Sequence, residues 1–330
     1  MTSENGSSSG PWLLTGGAGY IGAHVARALQ SAGLGVVVLD DLSTGVRERL
    51  SPDVPLVEAN MLDTATVEKT LRKYQVSGVV HLAAKKAAGE SVEKPLLYWR
   101  ENAEGTRCLL EAMTAAGVSR IVFSSSSSVY GEPETEDVAE DAPTRPVSPY
   151  GETKLVSEWM IRDLGSASDL AWASLRYFNV AGAGAPELGD TGVFNLIPLV
   201  FQAITTGGRP QVFGDDYDTR DGSCIRDYIH VVDLAEAHVA AARKLLEGPV
   251  NAAYNIGRGE GSTVKEVLEV VREVTGIDFD YGVVGRRGGD PSRVVARPEK
   301  ANAELGWRAQ HDLRDMVVSA WEAWQARPAG

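Results

Sequence analysis

The sequence predicts an α/β fold in which a doubly wound parallel sheet is joined to a smaller, mixed α/β lobe. Three observations support this fold class. Short runs of Val, Ile and Leu alternate with amphipathic segments of helical length up to about residue 179. A glycine-rich turn connects the first apolar run to the first helical segment. Beyond about residue 180 the alternation loses its regularity and turn-forming residues become frequent.

Length, composition and charge limit the classes of function. The chain has 330 residues, 43% of them hydrophobic, which is enough for a large core and for two lobes. Acidic residues outnumber basic residues 45 to 32, and the formal charge of −13 argues against nucleic acid or an anionic membrane as partner. No stretch approaches the roughly 20 apolar residues of a membrane helix. Cys108 and Cys224 are too few for a disulfide framework and lack metal-ligand spacing, so we expect a cytoplasmic protein without a metal site.

The N-terminal region leads into a glycine-rich turn. Residues 1–10 are rich in Ser, Gly and Asn and contain no apolar run, which predicts a disordered tail. Residues 12–14 then predict a buried strand, and Gly16, Gly19 and Gly22 follow with the spacing G-x-x-G-x-x-G before a helical segment. Such a loop lets backbone amides approach a pyrophosphate at a helix start. The strand before it and the helix after it are the context that a Rossmann dinucleotide-binding motif requires.

The second predicted strand, residues 36–39, ends in a pair of acidic residues, Asp40 and Asp41. A carboxylate eighteen residues beyond the last motif glycine accepts hydrogen bonds from the adenosine ribose and repels a 2′-phosphate. The sequence therefore favours NAD over NADP. Arg47 and Arg49 weaken this preference, because nearby basic groups bind a phosphate. The alternative role for Asp40 is a helix or turn cap.

Further strands and helices continue the alternation, as a doubly wound parallel sheet requires. The strand and helix patterns cover residues 53–60, 63–74, 79–84, 97–116 and 120–123. His81 lies among apolar residues, so we interpret it as a core histidine with satisfied hydrogen bonds. Five serines, Ser124 to Ser128, follow the last of these strands. They read either as a low-complexity turn or as hydroxyls at the carboxyl end of a strand, where such folds bind ligands.

Ser148 and Pro149 predict the start of a helix that carries Tyr150 and Lys154 on one face. At this spacing the two side chains are about 5–6 Å apart at Cβ. Lowering a phenol pKa to about 7 requires roughly 4 kcal/mol of phenolate stabilisation, and Lys154, the helix start and a bound cation all act in that direction. With a serine hydroxyl nearby, the pair would form a proton-transfer site. The alternative is an amphipathic helix with a solvated Tyr and Lys.

The second half of the chain contains a flexible connector at residues 181–186 and a turn-rich segment at residues 207–221. An amphipathic helix at residues 233–246 and a strand at residues 253–256 follow. We therefore predict a Rossmann domain at 11–179 and a substrate-binding lobe at 180–330. Within that lobe, residues of about 224–257 are expected to return to the Rossmann sheet.

Several segments together resemble a known family. Three of them, residues 15–22, 123–131 and 148–154, are similar to the extended short-chain dehydrogenase/reductase superfamily. Four others narrow the resemblance to the UDP-glucose 4-epimerases, namely residues 90–96, 175–179, 226–231 and 286–290. The segments occur in consistent order from about residue 11 to residue 325. The resemblance implies an NAD cofactor, a UDP-sugar substrate and a homodimer in which helices of the first lobe pair.

Carried over position by position, the resemblance implies specific roles. Tyr150 is the base, Lys154 lowers its pKa and binds the nicotinamide ribose, and Ser126 is the catalytic hydroxyl, with Ser127 and Ser128 as alternatives. The implied cofactor-binding positions are Gly16, Gly19, Tyr20, Ile21, Gly22, Asp40, Asp41, Asn60, Met61, Leu82, Ala83, Ala84, Lys86, Asn102, Ser126, Tyr150, Lys154 and Phe178. The implied substrate-binding positions are Lys86, Ser126, Tyr150, Asn179, Asn195, Leu196, Phe213, Arg226, Arg287 and Asp290. For Arg226 the alternative is an ion pair with Asp227 or another acid.

Three positions depart from the family pattern. Asn60 replaces an aspartate that is usual near the adenine, and Ala84-Lys85 stands where Gly-Leu is frequent. Val294 occupies a position where some members have tyrosine. The smaller valine leads to the hypothesis that the pocket has room for the N-acetyl group of a sugar.

The resemblance predicts an isomerase that interconverts UDP-glucose and UDP-galactose through a 4-keto intermediate. Alternatives within the enzyme class are a 4-epimerase of UDP-GlcNAc or of a UDP-uronic acid, and a nucleotide-sugar 4,6-dehydratase. The dehydratases place Asp-Glu after the catalytic hydroxyl, where this chain has Ser127 and Ser128. The alternative from another class is a non-catalytic dinucleotide-sensing protein, which commonly lacks the Tyr/Lys pair.

Overall fold

The structure is a computed structural model that describes residues 10–133, 135, 137–288 and 290–327. The expected disordered tail lies outside the described residues except for Gly10, whose carbonyl accepts a hydrogen bond from Ser77. None of the helices in the described ranges combines the length and apolarity that a bilayer crossing needs.

The described strands, in chain order, are β1 (Trp12–Thr15), β2 (Val36–Asp40), β3 (Leu56–Glu58), β4 (Gly78–His81), β5 (Arg120–Ser124), β6 (Asp137–Val138), β7 (Ala171–Tyr177), β8 (Asn179–Ala181), β9 (Gln211–Phe213), β10 (Ile225–His230), β11 (Ala252–Ile256), β12 (Gly261–Thr263), β13 (Gly282–Val284) and β14 (Arg293–Ala296).

The described α-helices are α1 (Tyr20–Ser31), α2 (Thr64–Lys73), α3 (Ala88–Glu93), α4 (Pro95–Tyr98), α5 (Gly105–Ala116), α6 (Pro149–Ala167), α7 (Leu196–Thr205), α8 (Val231–Glu247), α9 (Val264–Thr275), α10 (Glu299–Glu304) and α11 (Leu313–Gln325). A π-helical segment, Trp99–Glu104, joins α4 to α5. Short 3₁₀ turns lie at Arg47–Arg49, Ser127–Val129 and Pro186–Leu188.

A seven-stranded parallel sheet forms the larger lobe, with the strand order β3-β2-β1-β4-β5-β7-β11. Alternate residues of β1 enter two separate cores: Leu14 packs with residues of α1 and α8, and Leu13 packs with residues of α2 and α5. Helices therefore cover both faces, which explains why β1, β2 and β4 are buried along their whole length. The strand order reverses between β1 and β4, and ligands bind at the carboxyl ends of strands at such a point. The predicted doubly wound α/β class is confirmed.

The segment expected to return to the large sheet divides between two sheets. Its strand β11 pairs with β7 at the edge of the seven-stranded sheet, with Ala252 opposite Ala173. Its strand β10 does not join that sheet, which corrects the expectation for residues 225–230. Instead β10 pairs with β8, β12 and β14 in a second sheet that also contains β6. The 17-residue helix α8 is long enough to carry the chain from one sheet to the other.

The smaller lobe has its own apolar core between helices α7, α9 and α11. Phe201 of α7 packs its ring against Trp321 and Trp324 of α11, with centroid distances of 5.0 and 5.8 Å. Val267 and Met316 are fully buried in the same cluster. Strands β9 and β13 pair with each other in a separate two-stranded sheet.

We predict that the folded protein loses stability in mild acid, because it contains four buried histidines. Burial lowers the pKa of His24, His230 and His238 to about 4 and that of His81 to about 3. Because an unfolded histidine titrates near 6.5, the unfolded chain binds more protons below that pH. The contribution of these neutral histidines to the free energy of unfolding is complete above about pH 6.5. It should fall towards pH 4, by up to about 1.4 kcal/mol per pH unit for each histidine. Urea unfolding between about pH 7.5 and pH 5 measures this slope, and a flat free energy of unfolding over that range would contradict it.

Candidate active site

The glycine-rich turn connects β1 to α1 in a conformation that excludes side chains. Gly16 has a φ of 70°, and a Cβ there would lie 2.7 Å from the backbone nitrogen of Ala83. A Cβ on Gly22 would lie 2.2 Å from the carbonyl oxygen of Gly16. The amide of Gly19 donates to that same oxygen at 3.2 Å. The turn thus presents bare backbone at the start of α1, which fits the pyrophosphate of a dinucleotide.

The acidic pair at the end of β2 adjoins this turn. Asp40 is buried, and its two carboxylate oxygens accept hydrogen bonds from the amides of Ala18 and Leu42, each at 2.9 Å. The turn-cap alternative for Asp40 is therefore present in the structure. Each oxygen has a second lone pair, so this capping leaves acceptor capacity for ribose hydroxyls. Asp41 is exposed and accepts a hydrogen bond from the amide of Asn60 at 2.9 Å.

The departure at Asn60 has a local physical explanation. Its amide nitrogen donates to Asp41, and its oxygen accepts the amide of Leu62 at 2.9 Å. An aspartate in this place would set two carboxylates against each other, and like charges at contact distance repel. Met61 is buried beside it, whereas Leu82, Ala83 and Ala84 are partly exposed after β4.

Tyr20, Lys86 and Asn102 lie around the turn but have protein partners. The hydroxyl of Tyr20 donates to the carbonyl of Gly182 at 2.6 Å. The ammonium of Lys86 lies 3.6 Å from a carboxylate oxygen of Asp190, with about half of the side chain exposed. Asn102 is buried in the π-helical segment, a type of distortion that is frequent at functional sites.

The amide of Asn102 connects two parts of the site. Its oxygen accepts the amide of Lys85 at 2.8 Å, and its nitrogen donates to the Lys85 carbonyl and to the hydroxyl of Thr153, both at 3.1 Å. Both N–H donors of this side chain are therefore used within the protein. Thr153 lies on α6 between Tyr150 and Lys154, so Asn102 ties the segment after β4 to that helix.

Helix α6 begins at Pro149, as predicted from the sequence. The hydroxyl of Ser148 accepts the amide of Gly151 at 3.3 Å and caps the helix. Tyr150 is buried, with its ring edge-on to the ring of Tyr98 at a centroid distance of 6.5 Å. Both residues of the predicted pair, Tyr150 and Lys154, face the carboxyl end of β5.

The serines at the carboxyl end of β5 have different surroundings, and this separates Ser126 from Ser127 and Ser128. The side chain of Ser126 acts to lower the pKa of Tyr150, and its hydroxyl lies 3.1 Å from the hydroxyl of Ser128. Ser127 and Ser128 begin a 3₁₀ turn that the Ser126 hydroxyl caps, with the amide of Ser128 donating at 3.1 Å. The low-complexity interpretation of this serine run does not hold, because the hydroxyls make specific contacts.

The electrostatics of the pair differ from the expectation that Lys154 lowers the pKa of Tyr150. Burial raises the pKa of Tyr150, and the hydrogen bond from Ser126 only opposes this effect. The ammonium of Lys154 donates instead to the backbone carbonyl of Ser124 at 2.7 Å. Burial lowers the pKa of Lys154 to about 7, while the carboxylate of Glu158 acts to raise it. The i,i+4 spacing sets where the two side chains start, but the long lysine stem lets its ammonium reach a different acceptor.

His81 is confirmed as a core histidine. Its two ring nitrogens lie 2.7 Å from the hydroxyl of Thr15 and 3.1 Å from that of Thr106. Both polar atoms are satisfied inside the large lobe, next to the glycine-rich turn. Nothing in this arrangement points to a catalytic role.

Two pairs of the predicted substrate-binding residues are in contact in the smaller lobe. Arg226, on β10, forms an ion pair with Asp290, so the alternative of an ion pair for Arg226 is present. Its partner is not Asp227, which is fully buried and accepts backbone amides. The guanidinium of Arg287 lies 3.7 Å from the ring centroid of Phe213.

The remaining predicted residues lie at the junction of β7 with the second sheet and at the start of α7. Phe178 is buried in a cluster that also contains Val294. Asn179 opens β8, and its amide donates to the carbonyl of Asp227 at 3.1 Å. Asn195 is exposed and directly precedes Leu196, the first residue of α7.

Two tyrosines that the sequence analysis did not select adjoin the Arg226–Asp290 pair. Tyr228 lies two residues after Arg226 on β10, and charge from Arg226 and Asp290 acts on it. Because alternate residues of a strand point to the same face, the spacing of Arg226 and Tyr228 was a sequence signal that places both on one face. Tyr217 has the guanidinium of Arg286 at 4.1 Å above its ring. Its buried hydroxyl has no hydrogen-bond partner in the described ranges, and no local pattern marks it.

Metal ligation receives no support from the geometry. Within the described part of the chain, no group of three or more His, Cys, Asp or Glu side chains is arranged to hold a metal ion. The polar groups of the site are instead hydroxyls, amides and single charges, which suit an organic cofactor and a sugar substrate.

Comparison with known proteins places the chain. Residues 12–257 match the NAD dependent epimerase/dehydratase family. A UDP-glucose 4-epimerase of Azospirillum brasilense is 45% identical over 320 residues, which cover 95% of this chain and 91% of that protein. The chain belongs to the UDP-glucose 4-epimerase family. The resemblance drawn from the sequence motifs is thereby confirmed.

Solved structures of the family agree over nearly the whole chain. The UDP-glucose 4-epimerase of Stenotrophomonas maltophila, with bound NAD and formylated UDP-arabinopyranose, is 39% identical, covers 96% of this chain and 98% of its own, and has a TM-score of 0.91. The Brucella ovis UDP-glucose 4-epimerase in complex with NAD is 40% identical, with 94% and 97% coverage and a TM-score of 0.91. NAD is the cofactor of the family, as the glycine-rich turn and Asp40 predict.

A side chain at Gly22 should prevent cofactor binding. In the Gly22→Ala variant the new methyl group meets backbone atoms that cannot rotate away, so the turn must open. We expect the purified variant to lose most of its bound NAD, measured by absorbance after release, and to be destabilised by at least about 1 kcal/mol. Gly89→Ala is the matched control, since a Cβ there meets no atom within 4 Å. Full NAD content in Gly22→Ala would show that the turn does not hold the cofactor.

Proposed function

We propose that this chain interconverts UDP-glucose and UDP-galactose through a 4-keto intermediate. The observation that carries the proposal is the position of Tyr150 and Lys154, one helical turn apart on α6, where Ser126 acts on the pKa of Tyr150 and the Lys154 ammonium donates to the Ser124 carbonyl at 2.7 Å. Relatives that bear the name UDP-glucose 4-epimerase cover nearly the full chain, which supports the same chemistry here. The cofactor-binding and substrate-binding roles assigned to individual residues belong to this proposal.

The proton-transfer step uses residues of the large lobe. Tyr150 takes the proton of the sugar C4 hydroxyl, and the Ser126 hydroxyl, which acts on the pKa of Tyr150, orients that group. When bound, NAD would supply the acceptor and donor of the C4 hydride, so the reaction has no net redox change. In this proposal the Lys154 ammonium favours the phenolate form of Tyr150 in the cofactor-bound enzyme, whereas in the protein alone burial sets the direction of the Tyr150 pKa shift. Return of the proton from Tyr150 completes the cycle.

The nucleotide end of the substrate is held by the smaller lobe in this proposal. A planar guanidinium such as that of Arg226 binds diphosphate oxygens bidentately, and a carboxylate such as that of Asp290 accepts from ribose hydroxyls. These two groups are partners of each other in the structure. Substrate binding would therefore exchange the Arg226–Asp290 ion pair for contacts with the nucleotide.

The anchored diphosphate lets the 4-keto sugar rotate in the pocket without leaving it. We also propose the boundary of the lobes near residue 180, with α8 and β11 serving the large lobe.

A second candidate substrate is UDP-GlcNAc. Val294 is buried in the cluster that contains Phe178, the residue that the resemblance places beside the nicotinamide. Valine is smaller than the tyrosine found there in some relatives, and we propose that this difference leaves room for an N-acetyl group. Turnover of UDP-GlcNAc relative to UDP-glucose distinguishes the two substrates, and a higher kcat/KM for UDP-GlcNAc would assign it as preferred.

We propose that the chain forms a homodimer in the cytoplasm. Val92, Leu96 and Trp159 expose 64%, 80% and 45% of their surface, and they lie on helices α3, α4 and α6, which contact each other. An apolar surface shared by adjoining helices fits a second copy related by a twofold axis, because an isologous contact buries the same patch on both chains. The cytoplasmic location is supported by the two free cysteines, Cys108 and Cys224.

Replacing Tyr150 by Phe tests the catalytic role. The variant keeps the ring but lacks the phenol, so we expect kcat for conversion of UDP-galactose to UDP-glucose, without added NAD, to fall at least about a hundredfold. Bound NAD should stay at the level of the unmodified protein. Tyr74→Phe, far from the site, is the control and should keep full activity. Unchanged turnover in Tyr150→Phe would remove Tyr150 as base, and no turnover in the NAD-loaded unmodified protein would refute the epimerase assignment.

A charged residue in the apolar surface should separate the dimer. Leu96→Glu places a carboxylate where 80% of the leucine is exposed, so the fold tolerates it but a twofold contact would bring two charges together. We expect sedimentation velocity to give a dimer for the unmodified chain and a monomer for this variant. Val283→Glu, on β13 in the smaller lobe, is the control and should remain a dimer. A monomeric unmodified chain would contradict the proposal.

A further inference from the structure

A buried ion pair lies behind the serine run of the active site. Glu158 is on α6, and Arg176 is on β7. The guanidinium binds the carboxylate through both oxygens, with Nη2 to Oε2 at 2.6 Å and Nε to Oε1 at 2.9 Å. Only 9% of the Arg176 side chain and 7% of the Glu158 side chain are exposed. Burying two charges is costly unless each hydrogen-bonding group has a partner. The other hydrogen bonds of Arg176 and Glu158 therefore determine whether this buried pair is satisfied.

The arginine is fixed on its far side by other parts of the fold. Its Nη1 donates to the hydroxyl of Tyr130 at 2.9 Å and to the carbonyl of Glu140 at 3.1 Å. The Tyr130 hydroxyl donates onward to the side chain of Asn255 on β11 at 2.7 Å. Arg176 is therefore held by a hydrogen-bonded network and in turn holds the Glu158 carboxylate in one orientation.

The carboxylate of Glu158 also binds the serine run directly. Its Oε1 accepts the hydroxyl of Ser125. Ser125 stands between Ser124, whose carbonyl accepts a hydrogen bond from the Lys154 ammonium, and Ser126, whose side chain acts on the pKa of Tyr150. Ser125, the middle residue of the three, is thus hydrogen-bonded to α6, the helix that also carries Lys154 and Tyr150.

The spacing of residues along α6 directs three of its side chains towards the serine run. Tyr150, Lys154 and Glu158 follow each other at intervals of four residues, so they lie on one face of the helix. Lys154 and Glu158 are hydrogen-bonded to Ser124 and Ser125, and Ser126 acts on the pKa of Tyr150. A shift of this run by a fraction of an ångström would change the Ser126–Tyr150 distance, and hydrogen-bond geometry is sensitive at that scale.

Glu158 also acts on Lys154 through its charge. Lys154 is buried, which lowers its pKa to about 7, and the Glu158 carboxylate opposes that change. The other groups that face the ammonium are the Ser124 carbonyl, the ring of Phe123 at 5.0 Å, and His81, which burial keeps neutral above about pH 3. Among the residues that the structure describes, Glu158 is the carboxylate that acts on Lys154.

We propose that Glu158 is a positioning residue for the epimerisation: through Ser125 it sets Ser126 against Tyr150, and through its charge it favours the ammonium form of Lys154. This inference rests on the proposed function. Arg176 holds the carboxylate in place and supplies the compensating charge. Glu158 touches neither substrate nor cofactor in this role, so its effect appears in kcat and in the pH dependence.

The test compares Glu158→Gln with the unmodified enzyme. Glutamine keeps the shape but removes the charge, so the pKa of Lys154 falls further and its ammonium is lost at lower pH. We expect the alkaline limb of the kcat profile to move to lower pH and kcat near pH 8 to fall at least about tenfold. KM for UDP-galactose should change less than about twofold, since the substrate contacts are elsewhere. Asp163→Asn removes the same charge from the exposed face of α6, where Asp163 pairs with Arg162, and should leave both quantities unchanged.

Two further variants separate the effect of the Ser125–Glu158 contact from the effect of the Glu158 charge. Ser125→Ala removes the hydroxyl contact and keeps the charge, so kcat should fall while the alkaline limb stays in place. Glu158→Asp keeps the charge and should restore the position of that limb. If Glu158→Gln does not fold, these two variants carry the test. Unmodified kcat and pH profile in a folded Glu158→Gln, or unchanged kcat in Ser125→Ala, would overturn the proposal. An unmodified protein without turnover would instead refute the proposed function.

Discussion

The contact of helix α6 with the carboxyl end of β5 is the constraint on which the site depends. One face of the helix presents Tyr150, Lys154 and Glu158 to the run Ser124 to Ser126. Lys154 and Glu158 are hydrogen-bonded to Ser124 and Ser125, and Ser126 acts on the pKa of Tyr150. The run cannot pack as an ordinary strand end, because its hydroxyls need partners once they are buried. Helix α6 supplies the partner of the Ser125 hydroxyl and a donor for the Ser124 carbonyl, while His238 of α8 lies 2.8 Å from the Ser124 hydroxyl. These contacts also hold Tyr150, Lys154 and the serine run together, the groups to which we assign proton transfer.

Burial has opposite effects on the two titrating groups of the pair. It raises the pKa of Tyr150 and lowers that of Lys154, so both neutral forms are favoured in the protein alone. The base that we propose at neutral pH needs the reverse, and for Lys154 the Glu158 carboxylate acts in that direction. A site of this kind is tuned by the balance of desolvation and charge, and the proximity of one lysine does not determine it.

The two lobes divide the work by their chemistry. The large lobe offers bare backbone and buried hydroxyls, which suit a dinucleotide and proton transfer. The smaller lobe offers the Arg226–Asp290 ion pair and the Arg287–Phe213 contact, which suit an anionic nucleotide in an acidic protein. β8, which follows β7 after one intervening residue, and β10, which leads directly into α8, pair in the second sheet. Short chain connections from β7 to β8 and from β10 to α8 therefore join the two lobes, and the pairing of β8 with β10 holds these connections side by side.

The sequence by itself determined the features that depend on neighbouring residues. The parallel sheet, the glycine-rich turn and the start of α6 at Ser148–Pro149 follow from apolar periodicity, the lack of a Cβ and helix capping, all of which act over a few positions. The tertiary structure alone decided where long side chains and later strands go. Lys154 turns to a carbonyl, Arg226 pairs with Asp290, and β10 joins the second sheet, because each partner lies far away in the chain and the choice depends on which groups folding brings together.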